Sequence, residues 1–363
     1  MRILHVFRSP VGGLFRHVRD LAKAQAALGH DVGIVCDKTT GGQTAEFELA
    51  GLSAICKLGV QRIAMSTLPG FGDLVATRAV AQFAIQINAE LIHGHGAKGG
   101  MFGRLAAKKL RLKAAYTPHG GSLHYDWLGP GAIFLGAERA LRSTGAGLIF
   151  VCQFERNIYI QKIGLGASSN IVVPNGLWPE EFVDRQLSEN ATDLLFVGEL
   201  RMLKGVDVLL RALALLNNKQ TVTLTIVGEG RDRAEFESLA MDLKLGQTVQ
   251  FVGRKPISEA LTLGKILVMP SRHESLPYVV LETIAAAVPL VASSVGGIPE
   301  ILPSRFLVPA DQPQALAQKV LRCIQDLPLA KSAAHDLQAE VKKKYNAETM
   351  AKSIVDFYFT LNS

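Results

Sequence analysis

Cysteines, aromatic side chains and long hydrophobic runs are scarce in this sequence of 363 residues. The four cysteines stand singly without CxxC spacing, which predicts free thiols in a reducing compartment: Cys36, Cys56, Cys152 and Cys323. No window of about 18 unbroken apolar residues occurs, so no membrane-spanning helix is predicted. The first apolar run, residues 3–7, is too short for a signal-peptide core and predicts a buried strand. These absences favour a cytoplasmic protein.

Positive charge is concentrated in the first half of the chain. Residues 1–175 carry 19 Lys and Arg against 10 Asp and Glu, whereas the remainder carries 20 against 22. Such a basic half fits an anionic membrane surface, an acidic substrate or nucleic acid. Aromatic residues make up only 7% of the chain and are not interleaved with the basic ones, which argues against nucleic acid as a partner.

Apolar runs rich in β-formers alternate with helical patterns in two series. Strands are predicted at 3–7, 31–36, 91–93, 114–117, 148–151 and 171–173, and again at 193–197, 222–227, 249–252, 266–269 and 290–292. Helices are predicted at 14–28, 99–110, 206–216, 231–243 and 278–287. Alternation with nearly all-apolar strands is typical of parallel sheets covered on both faces.

This pattern predicts an α/β protein with two doubly wound, Rossmann-like domains at residues 1–175 and 191–345. The polar, turn-rich stretch 174–190 separates them. An amphipathic helix at 347–361 belongs to neither series and is expected to pack back on the first domain. Ligands bind beyond the carboxyl ends of parallel strands, so two facing sheets predict a central cleft.

One polar loop carries the clearest chemistry. The run MPSRHESLPYVVLE ends a buried strand at Met269 and places Pro277 where the first helical residue is expected. Free amides at a helix start favour a phosphate group. Glu274 and Glu282 on either side of that start are suited to bind hydroxyls of a sugar and a ribose. The alternative is that both are solvated helix-end residues.

This segment resembles the Glu-x7-Glu signature of the family-4 retaining glycosyltransferases, the glycosyl transferases group 1, which have the GT-B fold. The following run LVASSVGGIPE resembles the family's next block. Further matching fragments occur in the family's order over most of the chain: Gly12-Gly13, Gly29-His30-Asp31-Val32, Tyr116 to Gly121, Val173-Pro174-Asn175-Gly176, Phe196-Val197-Gly198, Lys204 to Asp207 and Val227 to Gly230.

The resemblance implies roles for residues on both predicted domains. Glu274 would hold hydroxyls of the donor sugar and Glu282 the ribose. The diphosphate would lie on the backbone around four consecutive residues: Ser275, Leu276, Pro277 and Tyr278. Lys204 would neutralise the leaving diphosphate, which requires positive charge. Gly12 and Gly13 would allow a close approach to the phosphates.

His119 would line the reaction centre from the other domain; the alternative is an ordinary loop histidine. The sequence departs from the family at Glu199, where an arginine usually follows the Val-Gly pair. Arg201 is two residues later and would point to the same side of an extended segment. We therefore assign it the missing charge. Arg254 is the candidate contact to the base.

Two other patterns are weaker. Gly228-Glu229-Gly230 opens a helix as a dinucleotide fingerprint would, but Arg233 replaces the third glycine, which argues against a dehydrogenase. The pair His93 and His95 has metal-ligand spacing, yet no third ligand is expected nearby, so loop and packing histidines are predicted. With no Asp-x-Asp pair in the chain, no metal and no cofactor are expected.

A basic helical run at 104–113 is followed by an apolar loop at 125–135. Together they fit docking on an anionic leaflet; a solvated basic face beside a buried loop is the alternative.

The resemblance thus implies a retaining, hexosyltransferase-type enzyme that moves a sugar from a UDP- or GDP-sugar to a saccharide or lipid-linked acceptor. Retention normally requires a carboxylate nucleophile, and the sequence supplies no convincing one. The resemblance implies a front-face displacement instead, with the departing phosphate helping to deprotonate the acceptor hydroxyl. The implied setting is bacterial surface polysaccharide, lipopolysaccharide or glycolipid synthesis, in the cytoplasm or peripherally at the inner membrane face. A nucleotide-sugar epimerase, a glycosyl phosphorylase and a non-catalytic nucleotide-sugar-binding subunit remain alternatives.

Overall fold

A computed structural model describes residues 1–129 and 131–362. The chain divides into two compact units. Unit 1 comprises Met1–Gly176 together with the C-terminal segment that begins at Ala347, and unit 2 comprises Leu177–Asn346. Residues 177–190 of the polar stretch therefore belong to unit 2, and residues 174–176 belong to unit 1.

Unit 1 contains a seven-stranded parallel sheet in the order β3-β2-β1-β4-β5-β6-β7. Its strands are β1 Arg2–Phe7, β2 Asp31–Asp37, β3 Val60–Ile63, β4 Leu91–His95, β5 Lys113–Thr117, β6 Gly147–Phe150 and β7 Asn170–Val172. Its helices are α1 Gly12–Ala27, α2 Gly42–Ser53, α3 Phe71–Gln86, α4 Gly96–Leu110, α5 Ala132–Leu141, α6 Gln153–Lys162 and α14 Ala347–Thr360.

Unit 2 contains a six-stranded parallel sheet in the order β10-β9-β8-β11-β12-β13. Its strands are β8 Thr192–Val197, β9 Leu224–Val227, β10 Val249–Phe251, β11 Gly264–Met269, β12 Leu290–Ser293 and β13 Leu307–Val308. Its helices are α7 Val206–Asn217, α8 Arg233–Asp242, α9 Ile257–Ala260, α10 Tyr278–Ala285, α11 Ile298–Ile301, α12 Pro313–Gln325 and α13 Leu327–Lys344.

Both sheets reverse their strand order once, which confirms the predicted pair of Rossmann-like folds. The reversal lies between β1 and β4 in unit 1 and between β8 and β11 in unit 2. In doubly wound sheets the crevice at this position, outside the carboxyl ends of the strands, is where ligands bind.

Glycine allows α4 to lie directly on the sheet of unit 1. A Cβ at Gly99 would lie 2.3 Å from the carbonyl oxygen of Val6, and a Cβ at Gly100 would lie 2.1 Å from the Tyr116 ring. Neither position can accept a side chain without displacing the helix. The GAKGG run at the start of α4 is therefore explained by packing.

The last helix, α14, packs on α1 within unit 1. Tyr358 on α14 is fully buried, and its hydroxyl lies 2.6 Å from His93 Nδ1. The C-terminal segment thus contributes a polar group to the interior of unit 1.

Candidate functional site

The loops that follow β8 and β11 flank the strand-order reversal of unit 2. Lys204 lies in the first loop and Glu274 in the second, and Lys204 Nζ donates a hydrogen bond of 2.6 Å to Glu274 Oε1. The Ser271 hydroxyl donates to the same oxygen at 2.8 Å. The Glu274 side chain is 7% exposed and that of Lys204 24%. Such partial burial strengthens a charged pair relative to one at the surface. The two residues singled out from motifs 70 positions apart are thus in direct contact.

Two glycines bring the backbones of these loops close to their neighbours. Gly205 has φ +69°, and a Cβ there would lie 2.0 Å from the Pro270 carbonyl oxygen. Gly296 has φ +61°, and a Cβ there would lie 2.0 Å from the Glu274 carbonyl oxygen. The Gly297 amide also donates to the Ser275 carbonyl at 2.8 Å. Only glycine fits these contacts, so the glycines position the Glu274 loop.

Arg272 ties the same loops together and was not identified from the sequence. Its guanidinium donates to both carboxylate oxygens of Asp207, at 2.8 and 2.7 Å, and to the Met202 carbonyl. It also pairs with Asp311 at 2.7 Å. A bidentate arginine–carboxylate pair restricts geometry as well as adding energy. In the sequence, only the position of Arg272 two residues before Glu274 indicated that it could belong to the site.

Helix α10 begins at Tyr278, with Pro277 as its N-cap. Pro277 was predicted as the first helical residue, but it lies just outside the helix because its ψ of 128° is extended rather than helical. The helix start places its positive end beside the Ser275–Leu276 backbone. Glu282 lies within α10 and is partly buried.

Arg201 and Glu199 lie close together at the end of β8. Arg201 Nη1 is 3.7 Å from Glu199 Oε2, with 36% and 53% of the side chains exposed. The segment is not extended throughout, because the Arg201 amide donates to the Glu199 carbonyl at 2.9 Å across a buried Leu200. Arg254 is exposed and follows Gly253, whose carbonyl accepts from the Gly228 amide at 2.8 Å.

The Gly228-Glu229-Gly230 turn has a packing role. A Cβ at Gly228 would lie 1.8 Å from the Gly198 carbonyl oxygen, and one at Gly230 would lie 2.2 Å from that of Leu200. Arg233 forms ion pairs with Glu229 and with Glu237. The glycines therefore allow the loops after β8 and β9 to touch.

In unit 1, Gly12 and Gly13 form the first turn of α1. Gly12 has φ +70°, and a Cβ added there would have no atom within 4 Å. Among the residues that the structure describes, none packs against this side of Gly12, so its backbone is open to close approach. It follows β1, one of the two strands at the reversal of unit 1.

His119 follows β5 in a left-handed conformation with φ +53°. The next amide, that of Gly120, donates to Glu155, whose other carboxylate oxygen accepts from the Val151 amide at 3.0 Å. Glu155 is 2% exposed. A left-handed conformation is uncommon in a residue other than glycine, and here the buried carboxylate holds it in place.

Four further histidines surround this loop. His5 Nδ1 lies 3.0 Å from His95 Nε2, and His95 Nδ1 lies 3.2 Å from His119 Nε2. The ring centroids of His17 and His119 are 4.6 Å apart, and those of His93 and His95 are 3.9 Å apart. Sheet register explains part of the cluster, since His5 pairs with His93 across β1 and β4. We call these five residues the histidine cluster.

The proximity corrects the prediction that His93 and His95 have no third ligand nearby. Two sets have nitrogens within 4.8 Å of one another: His5, His93 and His95, and His17, His95 and His119. Such sets fit metals that prefer imidazole. Sequence spacing could not reveal them because α1, β1, β4 and the loop after β5 each contribute at least one member.

Burial keeps the cluster neutral. It lowers the pKa of His5 and of His17 to about 4. The pKa values of His93, His95 and His119 are lowered well below their usual range, first by burial and then by the neighbouring imidazoles. All five rings are therefore uncharged near neutral pH.

The sequence predicted a basic helical face at residues 104–113, but Arg104 is not exposed on it. It is 1% exposed, donates to Glu138 at 2.9 Å and lies with its guanidinium carbon 3.9 Å from the Tyr116 ring centroid. Lys108 and Lys109, one turn later, are exposed. In the apolar loop, Trp127 and Leu128 are exposed, and Pro130 lies outside the described residues.

The two parallel-sheet units, with polar loops at the strand-order reversals, define the class of GT-B glycosyltransferases. Residues 191–326 match the family described as "Glycosyl transferases group 1", and residues 12–176 match the "Glycosyl transferase 4-like domain". The chain belongs to the group 1, family-4 type of glycosyltransferase. It is therefore an enzyme of the glycosyl-transferring class.

Related proteins agree with this assignment. The chain is 26% identical to a glycogen synthase of Mycobacterium tuberculosis over 386 residues, covering 96% of this chain and 91% of that protein. It is 30% identical over 207 residues to an uncharacterised glycosyltransferase of Methanocaldococcus jannaschii, a match that spans about half of each chain, 52% and 53%.

Solved structures show the same fold. Sucrose-phosphate synthase from Thermosynechococcus elongatus superposes with a TM-score of 0.83 at 20% identity, over 99% of both chains. Anabaena HepE in complex with UDP-glucose superposes with a TM-score of 0.82 at 22% identity, over 99% of this chain and 100% of that one. Among residues 1–129 and 131–362, no helix is long and apolar enough to cross a membrane.

Proposed function

We propose that the protein is a retaining glycosyltransferase that transfers a sugar from a nucleoside diphosphate donor bound by unit 2. The observation that carries this proposal is the Lys204–Glu274 contact at the strand-order reversal, beside the start of α10. An ammonium and a helix start both favour phosphate oxygens, and a fixed carboxylate accepts hydrogen bonds from sugar hydroxyls. These groups together match the two halves of a nucleotide sugar.

The geometry suggests how the leaving group is stabilised. The negative charge that develops on the diphosphate as the sugar bond breaks is opposed by Lys204, by Arg201 and by the positive end of α10. Glu274 Oε1 is occupied by Lys204 and Ser271, which suits an orienting role better than that of an attacking nucleophile. Front-face displacement follows, with the departing phosphate taking the proton of the acceptor hydroxyl.

The nucleotide is proposed to be a uridine or guanosine diphosphate. HepE is described in complexes with UDP and with UDP-glucose, which favours uridine. Glu282 is assigned to the ribose, Arg254 to the base, and the backbone of Ser275, Leu276, Pro277 and Tyr278 to the diphosphate, with Gly12 and Gly13 approaching the phosphates. His119 is assigned to the reaction centre. Neither a metal nor a cofactor is required in this proposal.

A thermal-shift panel of UDP-, GDP- and ADP-sugars tests the donor. A ligand at about 100 times its Kd stabilises the folded state by about 2.7 kcal/mol, so the true donor is expected to stand out. The shift is expected to persist in EDTA. Proton NMR of the glycoside formed then reports its anomeric configuration. A product of inverted configuration contradicts the retaining mechanism, and the absence of any shift contradicts the donor assignment.

The acceptor is proposed to be a saccharide or a lipid-linked glycan that unit 1 binds, in bacterial surface polysaccharide or glycolipid synthesis. Peripheral attachment to an anionic membrane, in the cytoplasm, is part of this proposal. Trp127 and Leu128 are 43% and 103% exposed, in a unit whose net charge is positive. Apolar side chains next to basic ones are the pattern of surface-bound proteins.

Flotation with phosphatidylglycerol vesicles tests the attachment. Leu128→Asp is expected to reduce the bound fraction, whereas Phe47→Asp, at an apolar side chain that is 81% exposed on α2, is expected to leave it unchanged. Absence of binding by the unaltered protein at moderate salt contradicts peripheral attachment.

A further inference from the structure

The histidine cluster contains a continuous row of hydrogen bonds that ends at His119. Gln25 Oε1 lies 2.8 Å from His5 Nε2, His5 Nδ1 lies 3.0 Å from His95 Nε2, and His95 Nδ1 lies 3.2 Å from His119 Nε2. His5, His95 and Gln25 are all fully buried. We call these four residues the relay.

Each neutral imidazole has one N–H and one bare nitrogen. A ring that bonds at both nitrogens must therefore donate at one and accept at the other. Consequently the direction of the first bond, between Gln25 and His5, determines the direction of every later bond. The relay has only two ordered states, and the Gln25 amide selects between them.

The Gln25 amide is oriented from its other side. Tyr358 Oη lies 2.6 Å from His93 Nδ1, a separation typical of a hydroxyl donor rather than of a ring N–H. Because the Tyr358 hydroxyl donates its hydrogen bond to His93, the Tyr358 oxygen can accept one from Gln25 Nε2, which lies 3.4 Å away. The Gln25 carbonyl oxygen is then left to accept from His5.

We infer that the relay holds His119 as its Nε2–H tautomer and leaves His119 Nδ1 bare. His5 Nε2–H donates to Gln25, His95 Nε2–H donates to His5, and His119 Nε2–H donates to His95. No hydrogen bond from the described residues reaches His119 Nδ1, and the His119 side chain is only partly buried.

A bare Nδ1 accepts hydrogen bonds and donates none. His119 therefore recognises a hydroxyl or amine of the ligand, and it disfavours an ionised phosphate oxygen at the same place. Gln25, His5 and Tyr358 are positioning residues, because they act only through His119. The placement of His119 at the reaction centre rests on the proposed function; the tautomer does not.

Two-bond ¹H–¹⁵N correlation spectra of the full chain labelled with [¹⁵N]histidine distinguish protonated from bare ring nitrogens. His119 is assigned from the spectrum of His119→Gln. At about pH 7.5 in EDTA, its Nε2 is expected to be protonated and its Nδ1 bare. A protonated Nδ1, or an averaged mixture of both tautomers, would overturn the inference.

Gln25→Met removes the terminal acceptor and is expected to convert His119 to a mixture of tautomers. Gln61→Met is the matched control: it makes the same substitution at a partly buried side chain on β3 of the same unit, outside the histidine cluster, and is expected to leave His119 unchanged. Circular dichroism checks that both variants fold. If Gln25→Met does not fold, the spectrum of the unaltered protein still tests whether His119 is the Nε2–H tautomer.

Turnover then tests the positioning role. Gln25→Met is expected to lower kcat by about tenfold or more, less than the roughly 10²- to 10⁴-fold that a positioned acid–base group contributes, because His119 itself is retained; the change in KM is expected to be smaller. Unchanged kcat in a variant whose His119 tautomer has shifted would overturn that role. Complete inactivity of the unaltered protein would count against the proposed function and leave the tautomer result intact.

A metal is the competing occupant of the cluster. His17 Nδ1 lies 3.0 Å from Asn175 Oδ1, and its buried Nε2 has no partner among the described residues. Zn²⁺ is therefore added to the EDTA-treated, dialysed protein. Uptake of one equivalent that is lost in His17→Ala would overturn the relay, because the metal would take the lone pairs on which it depends. No uptake supports the relay.

Discussion

Acidification is expected to destabilise unit 1 through its buried histidines. Burial lowers the pKa of His5 and His17 to about 4, and the pKa values of His93, His95 and His119 are lowered well below 6.5. The unfolded chain binds a proton on each ring as the pH falls through about 6.5, whereas the folded unit does not. The stability contributed by neutral burial is therefore present above that pH and is lost below it.

The magnitude follows from linkage. Between about pH 7.5 and pH 5.5, one histidine that titrates only in the unfolded state costs roughly 1 to 1.5 kcal/mol. His5 and His17 alone then lower the free energy of unfolding by roughly 2 to 3 kcal/mol, and the whole cluster by more. Asp37 and Asp193 have lowered pKa values, so their stabilisation is lost only below about pH 4, outside this interval.

Urea unfolding can be followed in unit 1 alone. The chain has two tryptophans, Trp127 in unit 1 and Trp178 in unit 2, so a Trp178→Phe background leaves Trp127 as the reporter. The free energy of unfolding is measured at about pH 7.5 and pH 5.5 at constant ionic strength.

His17→Gln is expected to reduce the loss of stability on acidification by roughly 1 kcal/mol, because one titrating group is removed. His335→Gln is the matched control, since the His335 side chain is 52% exposed and lies in unit 2. A loss smaller than about 1 kcal/mol in the unaltered protein, or an equal loss in His17→Gln, would refute the reasoning.

Two further variants test packing. Glu138→Gln leaves the buried Arg104 guanidinium without its counter-charge. We expect this change to lower the free energy of unfolding of unit 1, measured by urea denaturation, by about 3 to 5 kcal/mol. A loss below about 1 kcal/mol would contradict the expectation. Gly296→Ala would place a Cβ 2.0 Å from the Glu274 carbonyl oxygen and is expected to reduce kcat/KM by about 10²-fold. Gly246→Ala is the control, since a Cβ at Gly246 meets no atom within 4 Å, and it is expected to leave kcat/KM unchanged. Equal activities of the two variants would contradict the positioning role of Gly296.

The alternation of apolar strands and helices was sufficient to predict two parallel sheets, and the fold class is confirmed. The strands predicted near β1, β2, β4 and β5 are present, but α2, β3 and α3 were not predicted. Helix α3 exposes Phe71, Leu74, Val75 and Ile85, so apolar residues occur on both of its faces and the helical periodicity is weak. β3 is short and only partly buried, without the apolar run of the inner strands.

Side-chain partners were less predictable than elements. Motif order singled out Lys204 and Glu274, which are in contact. Burial of Arg104 depends on Glu138, 34 residues away on another helix, and no local pattern indicates that pairing. The histidine cluster likewise depends on strand register and on the packing of α1, which sequence spacing does not encode.

The central claim is that Lys204 and Glu274 form the donor site of a glycosyltransferase. Release of nucleoside diphosphate, from the donor that the thermal-shift panel identifies, tests it most directly in Glu274→Gln. Glu259→Gln, at a side chain that is 50% exposed in the same unit, is the matched control. Loss of about 10²-fold or more in kcat for Glu274→Gln alone, with the fold intact, is the predicted result. Activity of Glu274→Gln equal to that of the control would contradict the claim.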